Sequence, residues 1–261
     1  MAFTSALRSA DLSRQVGAVI AKEQEIIATG ANDCPKSGGG LYWPIVGDHH
    51  EITDFPNGRD YMRGIDSNKE QQMNIIQNIL DKLPANVEKE SIKKALYASN
   101  LSDITEYGRI VHAEMESLMF CARNGISTRN AKLYCTTFPC HNCAKHIIAA
   151  GISKVIYIEP YPKSKAFDFY NEAITSDKNE KNKVIFLPFV GVGPRRFFDL
   201  FSTKLSAGYP VKRKNKTGHV VEYHPENSKA RIQMLPWSYI DKEEFASHLL
   251  KQFIDSHKLS S

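Results

Sequence analysis

Two short stretches carry side chains fit to hold a metal and move protons: His112-Ala113-Glu114 and, beginning just before Cys140, Pro139-Cys140-His141-Asn142-Cys143. One imidazole and two thiolates fill three corners of a zinc tetrahedron and leave the fourth to water. That is the composition of a catalytic site, since a structural site usually closes with a fourth protein ligand. Cys140 and Cys143 stand three apart, so they share a face where they open a helix, and the partial positive charge of that end favours ionised sulfur. His112 and Glu114 stand two apart and would diverge in mid-helix, but at a helix entrance both can turn to one site. Zinc lowers the pKa of a bound water to about 7, and a carboxylate outside the ligand set can then carry the protons of a hydrolysis. Glu114 suits that role. His141 and His146 are rival imidazoles: His141, inside the Cys-x-x-Cys, is expected on the surface, and His146 packed or on a helix surface. Cys121 and Cys135 read as core and Cys34 as a turn residue.

Helices and strands must position these groups. Residues 2–13 have the apolar spacing of a helix (Phe3, Leu7, Ala10). Val16–Ala21 and Glu25–Gly30 read as a hairpin around a polar Lys22-Glu23-Gln24 turn. Turn residues dominate 33–66, and helical patterns cover 68–83 and 86–98, divided by Pro84. After about residue 110 the rhythm is regular: helix 113–124, strand 131–136, helix 141–150, strand 154–158, helix 164–175 and strand 183–187, with a final helix over 241–255. Such alternation predicts an α/β fold with a mixed, partly parallel sheet sandwiched between helices.

The 261 residues are 42% hydrophobic and 24% charged, which suits a soluble globular protein with a core that needs no disulfide staples. A net charge of +5 favours anionic partners without identifying nucleic acid. Five cysteines, an odd number in no framework spacing, point away from a secreted disulfide scaffold. Arg8 and Asp11 interrupt the start where a signal peptide needs an apolar run. No apolar stretch reaches the roughly 18–20 residues of a membrane span, so a cytoplasmic location without membrane contact is expected.

His-x-Glu followed by Pro-Cys-x-x-Cys is the signature of zinc deaminases. With Thr137-Phe138-Pro139-Cys140-His141-Asn142-Cys143-Ala144-Lys145, Ile147–Ile152 and Val155-Ile156-Tyr157, the chain resembles the deoxycytidylate deaminase family. Ser5–Ser9, Gln15–Ile20 and Gly30-Ala31-Asn32 agree independently. The resemblance implies a cytidine-deaminase-like fold, a zinc cofactor, a cytosine nucleotide substrate (dCMP or dCTP) and a homo-oligomer. It also implies that Asn32 contacts the deoxyribose, that Arg8 and Ser9 lie near the phosphate, and that Phe138 lies near the base. Residues 1–190 are then the deaminase domain with an insertion over about 36–108 that shapes the site without joining the metal shell. Residues 191–261 are a C-terminal extension packed on that domain. The long insertion and extension resemble the deaminase part of bacterial anti-phage deoxycytidylate deaminases, which drain the cytosine deoxynucleotide pool. Those proteins carry an upstream phosphate-binding-loop domain. No G-x-x-x-x-G-K-[ST] occurs here, so the chain is expected to be a standalone relative or an excised domain.

Two other readings stand beside this one. A deaminase acting on a base within RNA or single-stranded DNA would use the basic run 212–216 with Trp237 and Tyr239. Asn32 and the Arg8-Ser9 segment favour a free nucleotide instead. A non-catalytic zinc interaction module would have no need of the Glu114 carboxylate.

Overall fold

A computed structural model describes residues 1–203, 211–213, 215–217, 219–222, 224, 226 and 238–258. Lys214 and Trp237, named above as nucleic-acid contacts, lie outside the described residues. The chain divides into two compact units, Met1–Phe189 and Val190–Ser261.

The first unit opens with helix α1 (Ala2–Ala6), then the antiparallel hairpin β1 (Gly17–Lys22) and β2 (Glu25–Ala31). The insertion holds a small hairpin, β3 (Ile45–Val46) and β4 (Ile52–Thr53), and helices α2 (Asp60–Arg63), α3 (Ser67–Asp81) and α4 (Lys89–Ala98). Next come α5 (Ala113–Arg123), β5 (Lys132–Thr137), α6 (His141–Ala149), β6 (Lys154–Glu159), α7 (Ala166–Phe169), β7 (Ile174–Thr175) and β8 (Val184–Pro188). The six-stranded sheet runs β2-β1-β5-β6-β8-β7. β1 is antiparallel to both neighbours, while β5, β6, β8 and β7 are mutually parallel. Four successive residues of β1, Gly17–Ile20, are buried, as expected for a strand covered by helices on both faces. Ile20, Leu133, Val155, Ile147 and Phe186 anchor the core.

The insertion builds its own support. Asp66 caps α3 by accepting the Lys69 amide at 2.9 Å, and Gln72, Ile76 and Leu80 form its buried stripe at i, i+4, i+8. Arg109 closes the segment, donating to Asp60 at 2.8 Å and to the Gly58 carbonyl at 2.9 Å.

Two expected helices are shorter than their patterns suggest. The first ends at Ala6 because the side chains of Ser9 and Asp11 capture the amides of Asp11, Ser13 and Arg14, replacing helical hydrogen bonds with turns. The helix expected over 164–175 covers only Ala166–Phe169. Its β-branched end, Ile174-Thr175, pairs with β8 instead.

In the second unit, α8 spans Phe197–Phe201 and α9 spans Ser238–Lys258, the latter overlapping the helix expected at 241–255. Among the described residues no helix is long and apolar enough to cross a membrane.

Candidate active site

Two helix N-termini meet at the ends of strands. His112 is the N-cap of α5 and Cys140 the N-cap of α6, both with extended backbone (φ −67°, ψ 153° and φ −66°, ψ 164°). The caps explain how His112 reaches the same site as Glu114: a capping residue has not yet entered the helical spiral. Cys140 Sγ accepts the Cys143 amide at 3.4 Å, so the α6 entrance stabilises negative sulfur through a direct hydrogen bond. His112 Nδ1 stands 3.4 Å from Cys140 Sγ and 3.3 Å from Cys143 Sγ, and the three donor atoms lie within 4.8 Å of one another. A tetrahedral zinc with bonds of 2.0–2.3 Å places its ligand atoms roughly 3.5 Å apart. The donor set therefore fits zinc in both chemistry and spacing.

Protonation follows from the same contacts. The Cys140 thiolate hydrogen bond holds the His112 imidazolium, raising it to about 9, with the charges of Glu114 and Asp11 adding to it. Hydrogen bonding from Cys143 and from His112 lowers Cys140 to about 4, whereas Cys143, facing Cys140 and deeply buried, is pushed well up. Glu114 is only 4% exposed, and burial raises its carboxyl above the usual range. Its Oε2 lies 3.7 Å from Cys143 Sγ, beside the donor cluster and not part of it.

The helix carrying His112 and Glu114 rests directly on β2. A Cβ on Gly30 would overlap the Ala113 carbonyl oxygen and lie 2.9 Å from the Ser117 nitrogen, so glycine is required for this approach.

Asn32, at the end of β2, is buried with both ends of its amide engaged: Oδ1 accepts the Val16 amide at 2.7 Å and Nδ2 donates to the Arg14 carbonyl at 2.8 Å. Asp33 Oδ2 accepts the Ala10 amide at 3.1 Å, and its backbone pairs in both directions with Val111, the residue before His112. Adjacent residues thus pin both ends of the loop that carries Ser9, Asp11 and Arg14. Ser9 is buried, its hydroxyl accepting from the Asp11 amide. Arg8 stacks on Trp43 of the insertion, 4.0 Å to the ring, and its buried Nε has no partner. Burial lowers its pKa against the opposing charges of Glu116 and Asp33. Arg14 lies 5.3 Å above the Tyr161 ring, on a segment whose Ser164 hydroxyl donates to the Pro139 carbonyl at 2.8 Å. Phe138 is buried among Tyr157, Phe167 and Phe186.

The structure therefore brings His112, Glu114, Cys140 and Cys143 together, with Asn32 and Ser9 in the adjoining loop contacts and Arg8 against the insertion. His141 is half-buried rather than on the surface, its ring edge-on to Phe169 at 5.5 Å, because the turn into α6 folds it onto α7. His146 is exposed on α6. Cys34 lies in the irregular segment after β2, as expected, and is fully buried there, its Sγ 3.5 Å from Asp60; burial with that carboxylate raises its thiol to about 11. Sequence reasoning did not single out Arg59, whose buried guanidinium lies between Asp33 and Asp54 beside the site. The only hint in the sequence was an isolated Arg-Asp pair following Pro56-Asn57-Gly58.

The family model of the cytidine and deoxycytidylate deaminase zinc-binding region matches residues 1–159. The chain is similar to the deoxycytidylate deaminase of Enterobacteria phage T4, 47% identical over 55 residues, which is 21% of this chain and 28% of that protein. It is also similar to the ComE operon protein 2 of Bacillus subtilis, 45% identical over 53 residues, covering 20% and 28% respectively. These matches span under a third of each relative's length. A crystal structure of dCMP deaminase from the cyanophage S-TIM5 in complex with dCMP and dUMP aligns with 72% of this chain and 90% of its own, at 18% identity and a TM-score of 0.39.

Proposed function

Because the chain belongs to the cytidine and deoxycytidylate deaminase family, as the match over residues 1–159 shows, we propose that it hydrolyses the amino group of a free cytosine deoxynucleotide, giving the uracil deoxynucleotide and ammonia. The observation that carries the proposal is a buried carboxylate, Glu114, next to a His-Cys-Cys donor set without belonging to it. His112, Cys140 and Cys143 would hold a zinc ion, which would make a bound water nucleophilic at neutral pH. Glu114 would take the two protons of that water in turn as its oxygen bonds to C4, handing one to ring N3 and the other to the amino group, which leaves as ammonia when its C4–N bond breaks. Burial suits it to this: a carboxyl raised above the usual range accepts a proton more readily than an exposed one. As the ligands that would hold the metal, His112 and the two cysteines would carry none of these protons.

A phosphate on the substrate is supported by two guanidiniums near the loop that Asn32 and Asp33 hold. Arg8 has a buried Nε without a partner, and Arg14 is backed by Tyr161. Asn32 and Phe138 serve the sugar and base in this reading. Draining of the dCTP pool in anti-phage defence and assembly into a homo-oligomer, supported by the sequence resemblance alone, and a cytoplasmic location, supported by five cysteines in no framework spacing, are the finer parts of the proposal. The test is a panel of dCMP, dCTP, deoxycytidine, adenine nucleotides and single-stranded oligonucleotides, read by ammonia release and product mass. Turnover of dCMP or dCTP well above deoxycytidine is expected. Activity confined to oligonucleotides would move the chemistry onto nucleic acid, and zinc without any turnover would leave an interaction module.

A further inference from the structure

Arg59 belongs to the insertion, 26 positions from Asp33 in sequence, yet its side chain is only 6% exposed. Nε and Nη2 donate to the two oxygens of Asp54 at 3.2 and 2.5 Å, and Nη1 donates to Asp33 Oδ2 at 3.3 Å. That same Oδ2 accepts the Ala10 amide, while the other Asp33 oxygen accepts the Cys34 amide at 2.8 Å. Tyr61 donates its hydroxyl to Asp54, so the carboxylate on the insertion side is itself braced. A buried ion pair is weak grounds for stability, because apolar packing does that work as well or better. A planar fork that joins two carboxylates at once gives directional hold instead.

We propose that Arg59 is a positioning residue for substrate binding: by fixing Asp33 Oδ2 it holds the Ala10 amide, and with it the Arg8–Asp11 segment, against the end of β2. What this segment binds rests on the deaminase reading above; that Arg59 holds it does not. The contact divides the site. Val111, and so His112, is paired to Asp33 through backbone atoms alone and does not depend on the carboxylate. The Ala10 amide instead bonds to the carboxylate itself. Loss of Arg59 therefore loosens the substrate side and spares the metal side.

The test uses full-length, zinc-loaded Arg59→Met. Hydrogen exchange at the Ala10 amide should rise about tenfold or more, as a local hydrogen bond is released, while the Val111 amide stays protected. KM for dCMP should rise about tenfold, the size typical of one coupled contact, with kcat and zinc content unchanged. Arg59→Lys keeps the charge but cannot span both carboxylates, and should give intermediate values; it also serves if Arg59→Met does not fold. The exchange readout needs no substrate, so an unmodified protein that deaminates no cytosine nucleotide sinks the reaction assignment while exchange still decides the positioning role. Unchanged Ala10 exchange overturns the proposal. So does a joint fall of kcat, zinc content and melting temperature with no separate rise in KM, which marks a merely structural residue.

Discussion

Replacing Gly30 with alanine adds one methyl group where β2 meets the first turn of α5. The new Cβ overlaps the Ala113 carbonyl oxygen and stands 2.9 Å from the Ser117 nitrogen and 3.1 Å from the Ala113 carbonyl carbon. Unstrained carbon contacts begin at about 3.5 Å. Both obstacles are backbone, so no rotamer relieves them and α5 must retreat by roughly 1 Å. Overpacking of this kind costs about 1–3 kcal/mol, partly offset by the 0.5–1 kcal/mol or so that alanine gains over glycine in a strand. The larger effect falls on chemistry. His112 and Glu114 open the displaced helix while Cys140 and Cys143 stay on α6, so the donor set is pulled open and the carboxylate moves from the reacting atoms. A misplacement of about 1 Å can cost roughly a hundredfold in rate. The assay is ammonia release from dCMP together with zinc content and thermal unfolding. Gly125→Ala is the control: nothing lies within 4 Å of its Cβ, although its φ of 66° is unfavourable for alanine. It should lose stability and keep both zinc and rate. A Gly30→Ala protein with kcat within threefold of the unmodified chain, and full zinc occupancy, refutes the reasoning that this contact sets the helix position.

Glu114→Gln should keep zinc and fold while losing about 10²–10⁴-fold or more in kcat; a tenfold loss or less, measured by the same ammonia assay, assigns the protons elsewhere. Cys140→Ala and Cys143→Ala should each lose bound zinc and activity together, as elemental analysis will show, and normal turnover in either removes that ligand from the site. In zinc-stripped protein Cys140, held near 4, remains a thiolate at pH 6 and loses that form only as pH falls through 4. The other four cysteines are buried. Iodoacetamide at pH 6 should therefore label Cys140 first, with zinc protecting it; peptide mass spectrometry showing Cys34 or Cys121 labelled first contradicts the electrostatics. Arg8→Gln and Arg14→Gln should each raise KM for dCMP severalfold with little change for deoxycytidine, since a remote phosphate contact contributes only where a phosphate exists. Equal effects on nucleoside and nucleotide exclude the phosphate role.

What was legible in the sequence is what chemistry constrains by type and spacing. His112, Glu114, Cys140 and Cys143 are recognisable because few residues ligate zinc, and because helix caps impose short intervals between them. β1, β2, β5, β6 and β8, and the helices α3 to α6, follow from apolar periodicity. The ends of α1 and α7 were not legible, because Ser9, Asp11 and the pairing of Ile174 with Val184 compete with helical propensity through contacts that periodicity does not report. The burial of Cys34 and Arg59 escaped for a related reason. Their partners, Asp60 and the Asp33–Asp54 pair, come from distant positions or from a loop without pattern, and a buried ion pair looks in sequence like any two surface charges.

The hydrogen bonds between Asp33 and Val111, 3.3 and 3.0 Å in the two directions, have a consequence for how this chain can vary. They tie the insertion off at its neck, so residues 34–110 hang from a closed base. Lengthening such a loop is cheap, about 0.6 kcal/mol for each doubling, and the metal site on the far side of the knot is insulated from it. Trimming, splicing or exchange of helices α3 and α4 between related proteins should therefore be tolerated far better than their size suggests. The exceptions are the stretches that keep the Arg59 guanidinium in reach of Asp33 and the Trp43 ring against Arg8, threads by which a replaceable part is still bound to the part that is not.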